Sequence, residues 1–171
     1  MFSIFNKLKE NLASDTEENQ NKSSIDVKPE KTEEDIIKEK IKKFLTALED
    51  VAWDIHDDSS FYRDTWSEKR EKKREAASEA YGKGSSVYPI LLVDTTTFGK
   101  ADCGMMFAHD GLYMNEYNDY STFISYEKMI GKKFSTKGGK FYINKRDYDF
   151  CATKQMDKLA PVIVLLNNYF S

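Results

Sequence analysis

In the second half of the chain, apolar and aromatic residues come in short runs divided by turn residues. Val87–Val93 (VYPILLV) is a continuous apolar run of strand length, with Pro89 near its start, where a missing ladder donor costs least. Gly104–Ala108 (GMMFA) leads through His109 into Asp110-Gly111 and then Leu112–Asn115 (LYMN). Asp-Gly between two apolar runs predicts a hairpin closed by a type I′ turn, which requires positive φ at both central residues. Ser121–Tyr126 (STFISY) alternates with period two, placing Thr122, Ile124 and Tyr126 on one face and Phe123 on the other. Lys132–Thr136, the turn Lys137-Gly138-Gly139, and Lys140–Ile143 predict a second hairpin, and Tyr148–Ala152 (YDFCA) alternates once more. Short strands joined by short turns pair in sequence order.

The periodicity is helical elsewhere. Thr32, followed by Glu33, Glu34 and Asp35, predicts a capped helix start with acids against the helix dipole. Ile37, Ile41, Phe44, Leu48, Val51 and Ile55 then recur at spacings of four and three, with Leu45 and Ala52 widening the stripe. Such a seam must be covered, by the following helix, by the sheet, or by a second copy in a coiled coil that would barely reach three heptads. Of these, burial within the chain is favoured over a homodimer. Asp57-Asp58-Ser59-Ser60 ends this helix, and Phe61–Tyr81 predicts a second one. Within it, Glu68–Glu75 (EKREKKRE) reads as a solvated face of ion pairs. Gly82–Ser86 stops that helix.

At the end of the chain, Met156, Leu159, Ile163, Leu166 and Phe170 form a helical stripe, and Val162, Val164 and Leu165 make it apolar nearly all round. The expectation is a hydrophobic helix plugging the sheet. Pro161 must either kink it or stand at the start of its regular part.

A family resemblance rests on two of these runs. Gly104-Met105-Met106-Phe107-Ala108-His109-Asp110-Gly111-Leu112-Tyr113, followed by Ile124-Ser125-Tyr126-Glu127-Lys128-Met129, resembles the core of bacterial PH-like domains of the GRAM type. In that family a glycine-led apolar hairpin precedes an "I-x-Y-x-x-apolar" strand end. Ala108 stands where the family usually has Thr or Ser. The resemblance spans roughly residues 85–170 and implies a strongly bent, seven-stranded antiparallel barrel or sandwich capped by a C-terminal helix. It implies no activity, because that fold carries many functions. Phosphoinositide-binding members usually gather basic residues at the first hairpin. Here Asp94–Asp102 holds one lysine, Lys100, between two acids, so inositol phosphates are not expected there.

The fold class expected is therefore α+β in three regions. Residues 1–31 are an amphipathic segment plus flexible linker, 32–82 carry two helices, and 83–171 form the PH-like barrel. Met1–Leu12 spaces Met1, Ile4, Phe5, Leu8 and Leu12 helically without the uninterrupted apolar core of a secretory signal. It reads as a terminal helix that frays or docks, or as a short membrane or partner anchor. Ala13–Lys31 is too polar to bury the surface that ordering requires.

Charge and chemistry narrow the function. A formal net charge of −3 gives no global basic field, so no nucleic-acid partner is expected. Cys103 and Cys151 lack metal-type spacing and read as small buried hydrophobes in a reducing, cytoplasmic setting. His56-Asp57-Asp58 has only His109 to complete a metal set, and Leu92-Val93-Asp94-Thr95-Thr96 lacks the glycine and second copy of an aspartic-protease motif. No cofactor, metal or catalytic set is expected. Asp94, Asp102, Asp110, Glu116 and Asp119 make the first half of the strand region acidic. Lys128, Lys132, Lys133, Lys137, Lys140, Lys145 and Arg146 make the second half basic. Stacked hairpins would then be electrically two-sided, with the lysines serving either an anionic partner or edge protection. The expected function is a non-catalytic, protein-binding module of a bacterial cytoplasmic protein. The alternatives are an immunity or antitoxin-type protein that masks a toxin, and a peripheral membrane protein anchored by Met1–Leu12.

Overall fold

The computed structural model describes residues 31–54, 61–62, 68–81, 87, 89–96, 101–117, 120–150, 156 and 158–171. Outside them lie the Met1–Leu12 segment, residues 13–30 of the linker, Ile55, the His56-Asp57-Asp58 triplet, the helix stop at Gly82–Ser86, Lys100, Asp119 and Cys151. Thr32–Ser171 form one compact unit.

Helix α1 runs Glu33–Asp54, and its start is fixed by reciprocal capping. The Asp35 N–H donates to Thr32 Oγ1 at 3.2 Å, while the Thr32 N–H and hydroxyl donate to Asp35 Oδ2 at 3.2 and 2.7 Å. This satisfies helix-end donors that would otherwise lack partners. The predicted stripe points into the protein: Phe44, Leu48 and Ala52 are fully buried, and Ile41, Leu45 and Val51 pack around them. Within the chain its cover is not the following helix. It packs on the C-terminal helix and on the first long strand.

Five strands form one antiparallel sheet in sequence order: β1 (Phe61–Tyr62), β2 (Pro89–Asp94), β3 (Gly104–Ala108), β4 (Gly111–Asn115) and β5 (Ser121–Ser125). The first is a two-residue edge beside four longer strands. Three more, β6 (Phe134–Lys137), β7 (Lys140–Ile143) and β8 (Arg146–Tyr148), form a second antiparallel sheet. Among the described residues no strand of one sheet pairs with a strand of the other, so of the expected barrel or sandwich the chain forms two unclosed antiparallel sheets. One core serves both. Leu91, Met105, Phe107, Leu112 and Met114 of the first sheet share it with Phe134, Phe141, Ile143 and Tyr148 of the second.

Several local expectations are corrected. Of the predicted helix Phe61–Tyr81, the helical part among the described residues is α2 (Glu68–Tyr81). Phe61 and Tyr62 are extended instead and pair with Val93 and Leu92, giving a partner to buried backbone that would otherwise end the sheet. The Asp110-Gly111 connection forms without a type I′ turn, since neither residue has positive φ. Gly111 answers a different need: a Cβ there would sit 2.4 Å from the Ile124 carbonyl oxygen. Positive φ at both central residues is found instead in the turn expected at Gly138-Gly139, with φ of 58° and 79° and Lys137 paired to Lys140. The strand predicted at Lys132–Thr136 is shifted to Phe134–Lys137. The one predicted at Tyr148–Ala152 begins earlier, at Arg146, because Asn144 turns the chain at φ 57°.

Helix α2 lies on the outer face of the first sheet. Ala77 packs with Leu92, Ala101 and Met106, flanked by Ala80, Val87 and Tyr113, and small side chains allow that close approach. Its charged run is therefore not simply solvated. Lys73 and Arg74 keep side-chain exposures of only 13% and 14%, Lys73 reaching Asp94 and Arg74 forking onto Glu71.

Helix α3 spans Ala160–Phe170 with Pro161 in its first turn, where no intrahelical donor is lost. It is a one-sided helix rather than a plug buried all round. Val162, Leu166 and Phe170 are buried, whereas Val164 is 57% exposed. Phe170 meets Phe44 at 4.8 Å and stacks on Tyr126 at 5.8 Å, and Phe44 meets Tyr126 at 5.2 Å. Each such burial is worth about 1.5–3 kcal/mol, so this trio ties α1, α3 and the sheet together.

Candidate functional site

The basic residues do not gather at one place. Lys137 and Lys140 face each other at the Gly138-Gly139 end of the second sheet. Lys133, Lys145 and Arg146 gather at the other end, where the Lys133 N–H donates to Asn144 Oδ1 at 2.8 Å. The length of β6 separates the two ends, about 10 Å of extended chain. Lys140 is neutralised locally by Asp147 at 2.9 Å and Asp149 at 3.3 Å. Those bonds raise the Lys140 ammonium and hold Asp147 below its ordinary range, Asp147 being the first cause for Lys140 and Lys140 for Asp147. The Arg146 guanidinium lies 4.8 Å over the Tyr148 ring. Lys128 sits apart, on the 3-10 turn Tyr126–Met129, and Lys132 is half-buried.

The acidic set is broken up as well. Asp94 is buried at 2% exposure. It accepts from Lys73 Nζ at 3.2 Å and from the Thr96 N–H and hydroxyl at 2.9 and 2.6 Å. That makes it an internal anchor between α2 and β2, not part of a partner face. Asp102 and Asp110 are exposed, with Asp110 accepting the Tyr113 hydroxyl at 2.6 Å. Burial and that bond lift the Tyr113 phenol to about 12. Glu116 accepts the Asp149 N–H at 3.1 Å. Of the two charge sets expected from the sequence, Asp94 and Lys140 are thus engaged in ion pairs within the chain.

Cys103, one residue before β3, is buried with Thr95 Oγ1 3.5 Å from its Sγ, and His109 is exposed in its turn. Among the described residues no three His, Cys, Asp or Glu side chains are placed to hold a metal ion. Two surface grooves border α1, one against Tyr169 and one against Glu127. Both have mixed charge around their rims and no converging polar set. Among the described residues no helix is long and apolar enough to cross a membrane.

One surface feature was not anticipated. The β4–β5 turn presents Tyr117 and Tyr120 at 70% and 69% exposure. The backbone beneath them is held from several directions. The Glu116 N–H donates to the Tyr120 carbonyl at 3.3 Å, and the Tyr117 N–H donates to the Asp149 carbonyl at 3.1 Å, which bridges to the second sheet. Asn115 Nδ2 donates to the Asp102 carbonyl at 2.7 Å, and Ser121 Oγ lies 3.1 Å from both Asn115 Oδ1 and the Ala80 carbonyl of α2. Phe123, next along the strand, is 45% exposed and packs 4.6 Å from Tyr113. Two tyrosines in a polar turn, Glu116-Tyr117 and Tyr120, were the signal available in the sequence.

Comparison of the chain with protein-family models, with curated proteins and with solved structures returns no match.

Proposed function

We propose that this chain is a non-catalytic binding module, a PH-like scaffold that offers the Tyr117/Tyr120 turn to another protein. The scaffold reading is supported by the order of elements. Seven consecutive antiparallel strands, β2–β8, followed by a C-terminal helix agree with the count the resemblance implies, with the two-residue β1 as an added edge. It also gives the two halves of the resembling motif a joint role, since the buried Tyr126 hydroxyl donates to the Ala108 carbonyl at 2.6 Å.

The binding reading is carried by one observation: Tyr117 and Tyr120 are both highly exposed while the backbone of each is hydrogen-bonded. Tyrosine gives large contact area at low entropic cost and is enriched at interface hot spots. Backbone already held at Tyr117 and Tyr120 loses little further freedom there on association. The test compares proteins retained by immobilised wild-type chain, by Y117S/Y120S and by K133E/K145E at moderate salt. The double tyrosine variant is expected to lose the retained protein while the charge variant keeps it. Retention that survives loss of both tyrosines, or that disappears with the charge reversal alone, overturns the reading.

A further inference from the structure

A sheet edge is a row of unpaired N–H and C=O groups, and proteins blunt such edges with short strands, charges, prolines or covering groups. The edge strands here are β1 and β5 in one sheet and β6 and β8 in the other. Three are blunted. Strand β1 is two residues long. Strand β6 is covered at Phe134, whose N–H donates to Asn167 Oδ1 at 2.9 Å and whose carbonyl accepts from Asn167 Nδ2 at 2.8 Å. Strand β8 is three residues long with Arg146 and Asp147 exposed. Strand β5, Ser-Thr-Phe-Ile-Ser, has five residues, no charge, no proline and an unbroken register with β4.

The ladder shows which of its groups point away from β4. Glu116 and Tyr120 form a hydrogen-bonded pair, and in an antiparallel ladder such pairs alternate with non-bonded ones. Thr122 and Ile124, opposite Met114 and Leu112, are therefore bonded to β4. Ser121, Phe123 and Ser125 direct their N–H and C=O away from it. Ser121 and Phe123 are exposed.

These edge-facing residues read Ser-Phe-Ser in both directions. We propose that a second copy of this chain adds antiparallel to β5 across a two-fold axis at Phe123, joining two sheets into one. Ser121 then lies opposite Ser125 of the second copy, Phe123 opposite Phe123, and Thr122 opposite Ile124. An isologous contact demands such self-complementarity, and an uncharged strand meets its copy without repulsion. The Tyr113–Phe123 pair continues into its symmetry mate as one aromatic row. A peptide from another protein would instead need pockets for its alternate side chains.

Sedimentation velocity of the full-length chain tests this over on the order of 1–100 µM, the range suited to an interface at the small end of specific contacts. Wild type is expected to shift reversibly from monomer to dimer mass. Ser125→Pro removes an outward N–H at a residue whose φ of −68° already suits proline, and Phe123→Lys places like charges across the axis. Each is expected to weaken association tenfold or more with an unchanged circular dichroism spectrum. In wild type, exchange of the Phe123 amide should slow with rising concentration, and it should not in Ser125→Pro. A wild-type chain monomeric throughout the range, or a variant that dimerises as wild type does, overturns the proposal.

Discussion

Asn167 of α3 and Phe134 of β6 form a closed two-point pair, with the side-chain amide donating to and accepting from the Phe134 backbone at 2.8 and 2.9 Å. The amide takes the place of a neighbouring strand. It fixes the register of the helix against the second sheet, and Ser171 Oγ extends the contact to the Lys132 carbonyl at 2.8 Å. Helix α3 is thus keyed to the sheet by hydrogen bonds as well as by its apolar face.

Asn167→Ala leaves both Phe134 groups part-buried without that partner. The expected loss is about 1–3 kcal/mol, the cost of stranded buried polar groups, in urea unfolding. Asn168→Ala, at an exposed neighbour, should stay within about 0.5 kcal/mol of wild type.

The one-sided burial of α3 separates two further variants. Leu166→Ala, at a fully buried position, should cost about 2–5 kcal/mol, whereas Val164→Ala, at an exposed one, should change little. An equal loss at both positions would mean that the outer face of α3 is covered too.

Lys73 and Asp94 form a largely buried ion pair. Lys73→Ala strands a buried carboxylate, with an expected loss of up to about 3–5 kcal/mol in thermal or urea unfolding. The exposed Glu75→Ala on the same helix serves as the control.

Alkaline pH should weaken the fold. Tyr126 is buried among Phe44 and Phe170, and desolvation, then Asp110 and Tyr113, push its phenol far above the ordinary range. Tyr113 is raised to about 12. In the unfolded chain both ionise near about 10. Above that pH the unfolded state has lost protons that the native state retains, so stability is complete below about 10 and falls as pH rises beyond it. Tyr126→Phe, which also loses the bond to Ala108, should lower stability at neutral pH yet flatten the decline between about pH 10 and 12 in pH-dependent urea melts.

Much of this architecture is written in residue patterns. The α1 stripe and its Thr32 cap follow from helical spacing, and β2–β5 follow from apolar runs of strand length. What escaped depends on partners distant in sequence. Phe61-Tyr62 carries enough apolar character for either helix or strand, and the choice falls to the unpaired backbone of Leu92 and Val93. Asp94 looks like a surface acid until Lys73, 21 residues earlier, is placed over it. Gly111 looks like a turn glycine, but its need comes from the Ile124 carbonyl pressed against it. The lysines form a basic half in sequence and two separate ends in space, because a hairpin puts neighbours in the chain at opposite ends of a strand. Tyr117 and Tyr120 were overlooked because abundant aromatics suggest a core, and only the fold shows which ones remain outside.

Hydroxyl-radical footprinting of the full-length chain, alone and in source-cell lysate, tests the proposed binding surface most directly. Modification of Tyr117 and Tyr120 should fall several-fold in lysate while Tyr142 on the second sheet is unchanged. Equal modification of Tyr117 and Tyr120 in both settings would contradict the assignment of that turn as the binding surface.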